Sequence, residues 1–249
     1  MIRESWIVFR RQLRMSLRNP VWLLVGVLQP VLYLILFAPL LKPLIAQFGA
    51  DDAYRFIVPG LVVQLSLFGA FLAGFGLLAE WRDGVVEAER VTPAARTALL
   101  VGRLGRDLLQ LLVQALFLVG LGYALGMRAP VHGVIVGIGL AMLIGGACAT
   151  ASNALALTTR DEDKLAPVIN LLSMPVLLLS GILLPLTLGP TWLRTLGEFL
   201  PGSHVVNAVR ASFEGAYASG RFLSGALWTM GLFVLALWWG TRAFRRENV

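Results

Sequence analysis

The sequence predicts an all-α integral membrane protein. Its expected elements are six transmembrane helices, an N-terminal amphipathic helix in the membrane interface, a cytoplasmic helix between the second and third spans, and short re-entrant outer helices before the last span. Three observations carry this reading. Hydrophobic residues make up 57% of the 249 residues, charged ones only 14%, and the mean hydropathy is +0.78. A water-soluble domain carries nearer a quarter charged residues. Apolar runs of about 20 residues, the length that crosses a bilayer, recur six times. Basic residues, finally, are distributed unevenly between the segments that separate those runs.

Residues 1–19, MIRESWIVFRRQLRMSLRN, place Ile2, Trp6, Phe9, Leu13 and Leu17 on one helical face. Arg3, Arg10, Arg14 and Arg18 lie mostly opposite, with Arg11 at the flank. A basic helix with an aromatic apolar face lies in the membrane interface. A long apolar run after so many basic residues does not fit a cleavable signal peptide. The spans are expected at about 21–41, 56–79, 108–127, 131–157, 165–183 and 222–241. With the N-terminus inside, inner segments hold 15 Lys and Arg and outer segments hold 6. The positive-inside rule then places both termini in the cytoplasm. The net charge of +7 is read the same way, as contact with anionic lipid rather than with nucleic acid.

Residues 184–221 are too polar for a simple span and too apolar for an ordinary loop. Pieces such as LPLTLGPTWL and HVVNAVRASF read as short helices, a re-entrant or interfacial pair on the outer face. In the fourth span Gly133, Gly137, Gly145, Gly146, Ala147, Ala149 and Ala151 predict close helix packing, with Gly133 and Gly137 in a G-x-x-x-G spacing. Thr159 to Glu162 fits a capping box for the fifth span.

Several chemistries lack their parts. The span cores, within those limits, contain no Asp, Glu, Lys or Arg, which weakens proton-driven carriage and intramembrane acid–base catalysis. His132 and His204 are the only histidines, and neither has a second ligand at helical spacing. The single cysteine, Cys148, permits no intrachain disulfide and reads as a small packing residue. Neither Lys42 nor Lys164 follows a glycine, so a Walker A nucleotide loop is absent.

The charged stretch between the second and third spans holds Glu80, Arg82, Asp83, Glu87, Glu89 and Arg90. Thr92 and Pro93 suit the start of a helix, as cap and first residue. Leu99, Leu100 and Leu104 then offer an apolar side, and Arg96, Arg103 and Arg106 a charged one. A short interfacial helix is the expectation. Arg160, Asp161 and Lys164, in the turn before the fifth span, form a second charged group able to touch a partner.

Taken in order, these residues resemble the ABC-2 type permeases, the membrane subunits of type V ABC exporters, and among them the daunorubicin-resistance type. Phe56-Ile57-Val58-Pro59-Gly60-Leu61 opens the second span as F-x-x-P-G-L does in that family. Glu80, Arg82, Asp83, Gly84, Glu87, Thr92, Pro93, Arg96, Leu99, Leu100, Gly102 and Arg103 follow the family's E-R-E-x-G to T-P-x-x-R pattern. Arg90 stands near a common leucine, and Arg103 replaces a frequent lysine. Leu200, Pro201, His204 and Arg210 match the segment before the last span.

The resemblance implies an interfacial helix over 1–19 followed by an ABC-2 transmembrane domain over 20–249. It implies a coupling helix within 87–103 that seats on a separate ATPase subunit, with ATP and Mg bound by that partner and no cofactor in this chain. It also implies a second permease subunit, identical or not, and a drug-like or lipid-like cargo exported across the cell membrane. The alternatives carried beside it are an ATP-independent carrier or channel and a lipid-acting membrane enzyme.

Overall fold

The computed structural model describes residues 2–18, 21–47, 52–85, 96–182 and 189–246. Ten helices and no strand occur among them: α1 (Ile2–Arg18), α2 (Val21–Gln47), α3 (Ala53–Phe71), α4 (Ala73–Arg82), α5 (Arg96–Ala124), α6 (Val131–Thr159), α7 (Glu162–Leu179), α8 (Thr191–Phe199), α9 (Pro201–Phe213) and α10 (Gly220–Arg246). Four stretches are long and apolar enough to cross a membrane: Ala53–Arg82, Ala98–Ala124, Val131–Thr159 and Gly220–Ala243. In α2 the described apolar stretch, Leu24–Leu40, is shorter. Helix α7 has 18 residues, with Glu162 and Asp163 in its first turn and two internal prolines.

Helix α6 is central and packs against α3, α4, α5, α7, α9 and α10. Its small residues admit neighbours that a side chain would exclude. A Cβ on Gly133 would collide with the Ser212 carbonyl, and one on Gly137 would sit 2.5 Å from the Phe213 ring. Gly145 faces Leu111 and Ser66 in the same way, and Gly146 faces Phe233. The short helix α9 is thereby drawn into the bundle, with Val205, Val206, Ala208, Val209 and Phe213 buried. Large apolar side chains point outward on α2 (Leu24, Leu28, Leu32, Leu36) and on α10 (Leu227, Val234, Trp238). Hydrocarbon, not water, suits such faces.

Helices α3 and α4 are one rod interrupted at Leu72. Ser152 of α6 inserts there: its hydroxyl donates to the Phe71 carbonyl at 2.7 Å and accepts the Gly74 N–H at 3.1 Å. A side chain entering the i→i−4 ladder is a known cause of a break without proline. Gly74 is required by the same contact, since its Cβ would lie 2.6 Å from Ser152 Oγ and 2.7 Å from the Ser152 carbonyl.

Two expectations change. The charged residues from Arg96 onward do not form a separate short helix; they are the first turns of α5, which runs unbroken to Ala124. No proline or cap interrupts them, and α1 packs along them. The cap of α7 is Asp161, whose carboxylate accepts the Asp163 N–H, whereas the Thr159 hydroxyl turns back to the Leu155 carbonyl. On α1, the face against the protein is Ser5, Val8 and Gln12 with Phe9 at its edge, while Trp6 and Leu17 point away. Gly102 and Gly105 of α5 decide this, because they let α1 approach so closely that a Cβ on Gly102 would lie 2.7 Å from Val8 Cβ.

Arg210 joins α9 to two other elements. Its Nε donates to the Phe56 carbonyl at 3.3 Å, and its Nη2 to the Gly181 and Ile182 carbonyls at 2.9 and 3.0 Å. The guanidinium also lies 3.9 Å over the Phe56 ring. Gly60 sits under this contact, its Cβ position 2.5 Å from the Ile182 carbonyl. Two motifs read separately in the sequence are thus one contact.

Gly74→Val should lower the unfolding free energy by about 1–3 kcal/mol through overpacking. Adding Ser152→Ala should not rescue it, because the clash with the Ser152 carbonyl remains. Arg210→Leu should cost about 2 kcal/mol or more, the scale of lost hydrogen bonds from a charged donor. Alkylation of Cys148 during a temperature ramp reports both outcomes.

Candidate functional site

The polar residues singled out between the second and third spans flank a junction of three helices. Glu80 ends α4, Arg103 lies in the third turn of α5, and Gln12 comes from α1. Arg103 places Nη2 at 2.7 Å and Nε at 3.2 Å from Glu80 Oε2. Gln12 Nε2 donates to the other oxygen, Oε1, at 2.6 Å. The side chains are 5% and 12% exposed for Arg103 and Glu80, so the pair is inside the protein. The charged side expected of Arg103 therefore faces Glu80 rather than solvent. A lysine could offer one nitrogen here, while the guanidinium fork offers two.

Two further carbon-rich and charged contacts adjoin this junction. Arg106 pairs with Asp107 at 3.1 Å, both within α5 and both largely covered. Leu77, Leu78, Leu100, Ala156, Leu157 and Leu165 form a buried apolar cluster between the ends of α4, α5, α6 and α7. That cluster holds the α6–α7 turn against α4. Arg82 Nη2 reaches Glu162 Oε2 at 3.0 Å, and the Arg160 guanidinium stands 4.9 Å from the Trp81 ring centroid. Arg160 adopts a left-handed backbone, φ 52°, which lets the chain reverse between α6 and α7.

The three residues of the second charged group thus lie beside the first. Arg160 leans on Trp81, Lys164 Nζ is 3.4 Å from Asp161, and Asp161 caps α7. The Asp163 backbone N–H, and after it Lys164, holds the Asp161 carboxyl below the usual carboxylate range. It is ionised at neutral pH. Arg82, Asp83 and Lys164 remain exposed. Glu87, Glu89, Arg90, Thr92 and Pro93 lie outside the described residues, as does the Arg96 side chain; the Arg96 backbone begins α5.

The remaining candidates sit at the opposite end of the bundle. Pro201 is the first residue of α9. His204 Nε2 is 2.9 Å from the Glu198 carbonyl, and its ring stacks 5.9 Å from Trp228. Arg210 forms the contact described above. Nearby, Asp52 caps α3 and accepts the Arg128 N–H at 2.6 Å, and Arg55 Nε donates to the Phe213 carbonyl at 3.2 Å. These groups fix helix ends to one another and bring no set of titratable side chains together with Arg210.

Sequence reasoning did not single out Gln12, Trp81 or Asp107, and it read Glu162 only as part of a capping box. For Gln12 a signal existed: Ser5, Val8 and Gln12 share a helical face, opposite the glycine pair Gly102 and Gly105.

Residues 3–213 match the ABC-2 type transporter family. A putative transport permease ycf38 of Cyanophora paradoxa is 27% identical over 236 residues, which cover 93% of this chain and 80% of the relative. The daunorubicin resistance ABC transporter permease protein DrrB1 of Streptomyces coeruleorubidus is 27% identical over 217 residues, 86% of this chain and 73% of the relative. A second ycf38 permease, from Pyropia yezoensis, is 25% identical over 246 residues, 96% of this chain and 80% of the relative. With the family match spanning most of the chain and its apolar helices long enough to cross a bilayer, this protein belongs to the ABC-2 type transporter family, as a membrane subunit of an ABC transporter.

Proposed function

We propose that the chain is the permease of an ATP-driven exporter of hydrophobic or amphipathic molecules. In this reading it crosses the cytoplasmic membrane six times, with α2 and α7 as the first and fifth spans and both termini inside. It pairs with a second permease subunit. The ATPase docks on residues 87–103 and on the neighbouring Arg160, Asp161 and Lys164. Residues 184–221, with α8 and α9, form the outer re-entrant segment. The relative named for daunorubicin resistance favours a drug-like amphiphile as cargo over a purely polar one.

One observation carries the reading. Both flanks of the 87–103 segment are anchored in the same buried junction, Glu80 on one side and Arg103 on the other. A push on the segment therefore passes into α4 and α5 together, and through α4 into the α3 rod and the Ser152 contact with α6. Gln12 ties the interfacial helix α1 to the same point. The α6–α7 turn is bound to α4 by Arg82–Glu162 and Arg160 over Trp81. Nucleotide shifts a conformational equilibrium only by binding its states with different affinity. Since the chain has no Walker A loop, that energy must arrive through a docked partner.

Replacing residues 92–100 by a Gly/Ser linker should abolish co-purification with the ATPase and ATP-driven export. Intact binding and export in that variant would refute the coupling role, and transport that persists without ATP and follows an ion gradient would favour a secondary carrier. The junction makes a separate prediction. Arg103→Leu alone leaves Glu80 buried without its cation and should destabilise the chain by about 3–5 kcal/mol, whereas Arg103→Leu combined with Glu80→Leu should cost far less. A double-mutant cycle on unfolding free energies measures the difference, and additive effects would show that the pair is not coupled.

A further inference from the structure

A cavity of about 120 Å³ lies at mid-height in the bundle. Val63 and Leu67 of α3 and Ile144 and Cys148 of α6 form its back wall, with Val176 of α7 and Leu232 of α10 on its sides. Cys148 and Leu232 lie near the middle of α6 and α10, and residues 200–202, at the start of α9, line the same cavity. Cys148, Val176 and Leu232 are half-buried, and so are Phe71 and residues 200–202, so the cavity opens at the flank of the bundle beside α7, α9 and α10. No charged residue lines it. Ser180 also lines it, and the Ser180 hydroxyl already donates to the Leu177 carbonyl at 3.1 Å. Its oxygen can only accept from a guest.

Size and lining select the guest. An apolar cavity of about 150 Å³ stays dry and takes benzene or xenon. Whole drug-like ligands need about 300 Å³ or more. This cavity therefore holds one ring or a short alkyl segment, not an entire cargo molecule. An apolar cavity open at the flank of the bundle suits a guest arriving dissolved in lipid. We propose that this cavity beside α7, α9 and α10 is a binding site for the uncharged hydrocarbon part, about one aromatic ring in size, of a membrane-dissolved amphiphile. The site serves the export function proposed above and rests on it for its biological role, but its occupancy needs neither ATPase nor ATP.

Cys148 is the only cysteine, so alkylation of the unmodified full chain reports on this wall alone. In lipid nanodiscs, N-ethylmaleimide labelling is measured with and without benzene as the probe. Benzene at ten times its dissociation constant should slow labelling at Cys148 about tenfold, the ratio set by simple occupancy. It should also raise the thermal midpoint. Val176→Phe fills the cleft and should remove both effects of benzene. A Cys148→Ala, Ile135→Cys variant reports on the lipid-facing side of the same helix, where Ile135 is 65% exposed. Its labelling should not respond.

Unchanged midpoint and unchanged labelling of Cys148 would overturn the proposal. Equal slowing at position 135 would also overturn it, as bulk partitioning. If benzene binds but the chain forms no complex with an ATPase, the export reading fails and the site stands. If the complex exports and benzene does not bind, the reverse holds.

Discussion

A single carboxylate, Glu80, holds three helices together inside the protein at one charged end of the bundle. Removing a carboxylate from water costs several kcal/mol, and the interior returns it only when the partner geometry is good and the remaining lone pairs are used. Both conditions are met. Arg103 occupies one oxygen with two nitrogens, and Gln12 occupies the other. The consequence is specificity of assembly: α1 can seat on α5 in one register, with Val8 over Gly102 and Gln12 over Glu80. Small residues on α5 make the approach possible, and the polar pair makes it unique.

The opposite end uses the same logic with different partners. Among the described residues Arg210 forms no direct ion pair; it is held by three carbonyls and an aromatic face. Those carbonyls belong to the start of α3 and to the segment just past α7, so α9 is locked to both. Between the two ends, Ser152 divides the α3–α4 rod in the middle of the bundle. A rod broken by a single inserted hydroxyl, anchored by a buried ion pair at one end and an arginine contact at the other, can transmit a bend. The apolar cleft lies beside the break, with Phe71, whose carbonyl accepts the Ser152 hydroxyl, among its lining residues.

Sequence patterns exposed the helices themselves, because composition and apolar run length are local properties. The short helix α9, the packing role of Gly133 and Gly137, and the family were legible for the same reason, whereas α8 begins only at Thr191, near the end of the LPLTLGPTWL piece read as helical. What remained hidden was tertiary. Arg103 reads as a surface charge until Glu80, 23 residues earlier, is placed against it. Thr159 fits a capping pattern, but Asp161, two residues on, directly precedes helix α7, which begins at Glu162. The five-residue apolar stripe of α1 was visible, yet the packed face was chosen by two glycines on another helix. The Ser152 insertion leaves no mark at all in the sequence around Leu72.

The central claim is that α1, α4 and α5 form one rigid lever around Glu80. Pulsed EPR can measure the distance between spin labels at Arg10 on α1 and Val101 on α5, both exposed, in the complex with its ATPase. The account predicts the same distance distribution without nucleotide, with ATP and after trapping of the hydrolytic state. A shift of about 5 Å, the step of a one-turn helix slide, would contradict it.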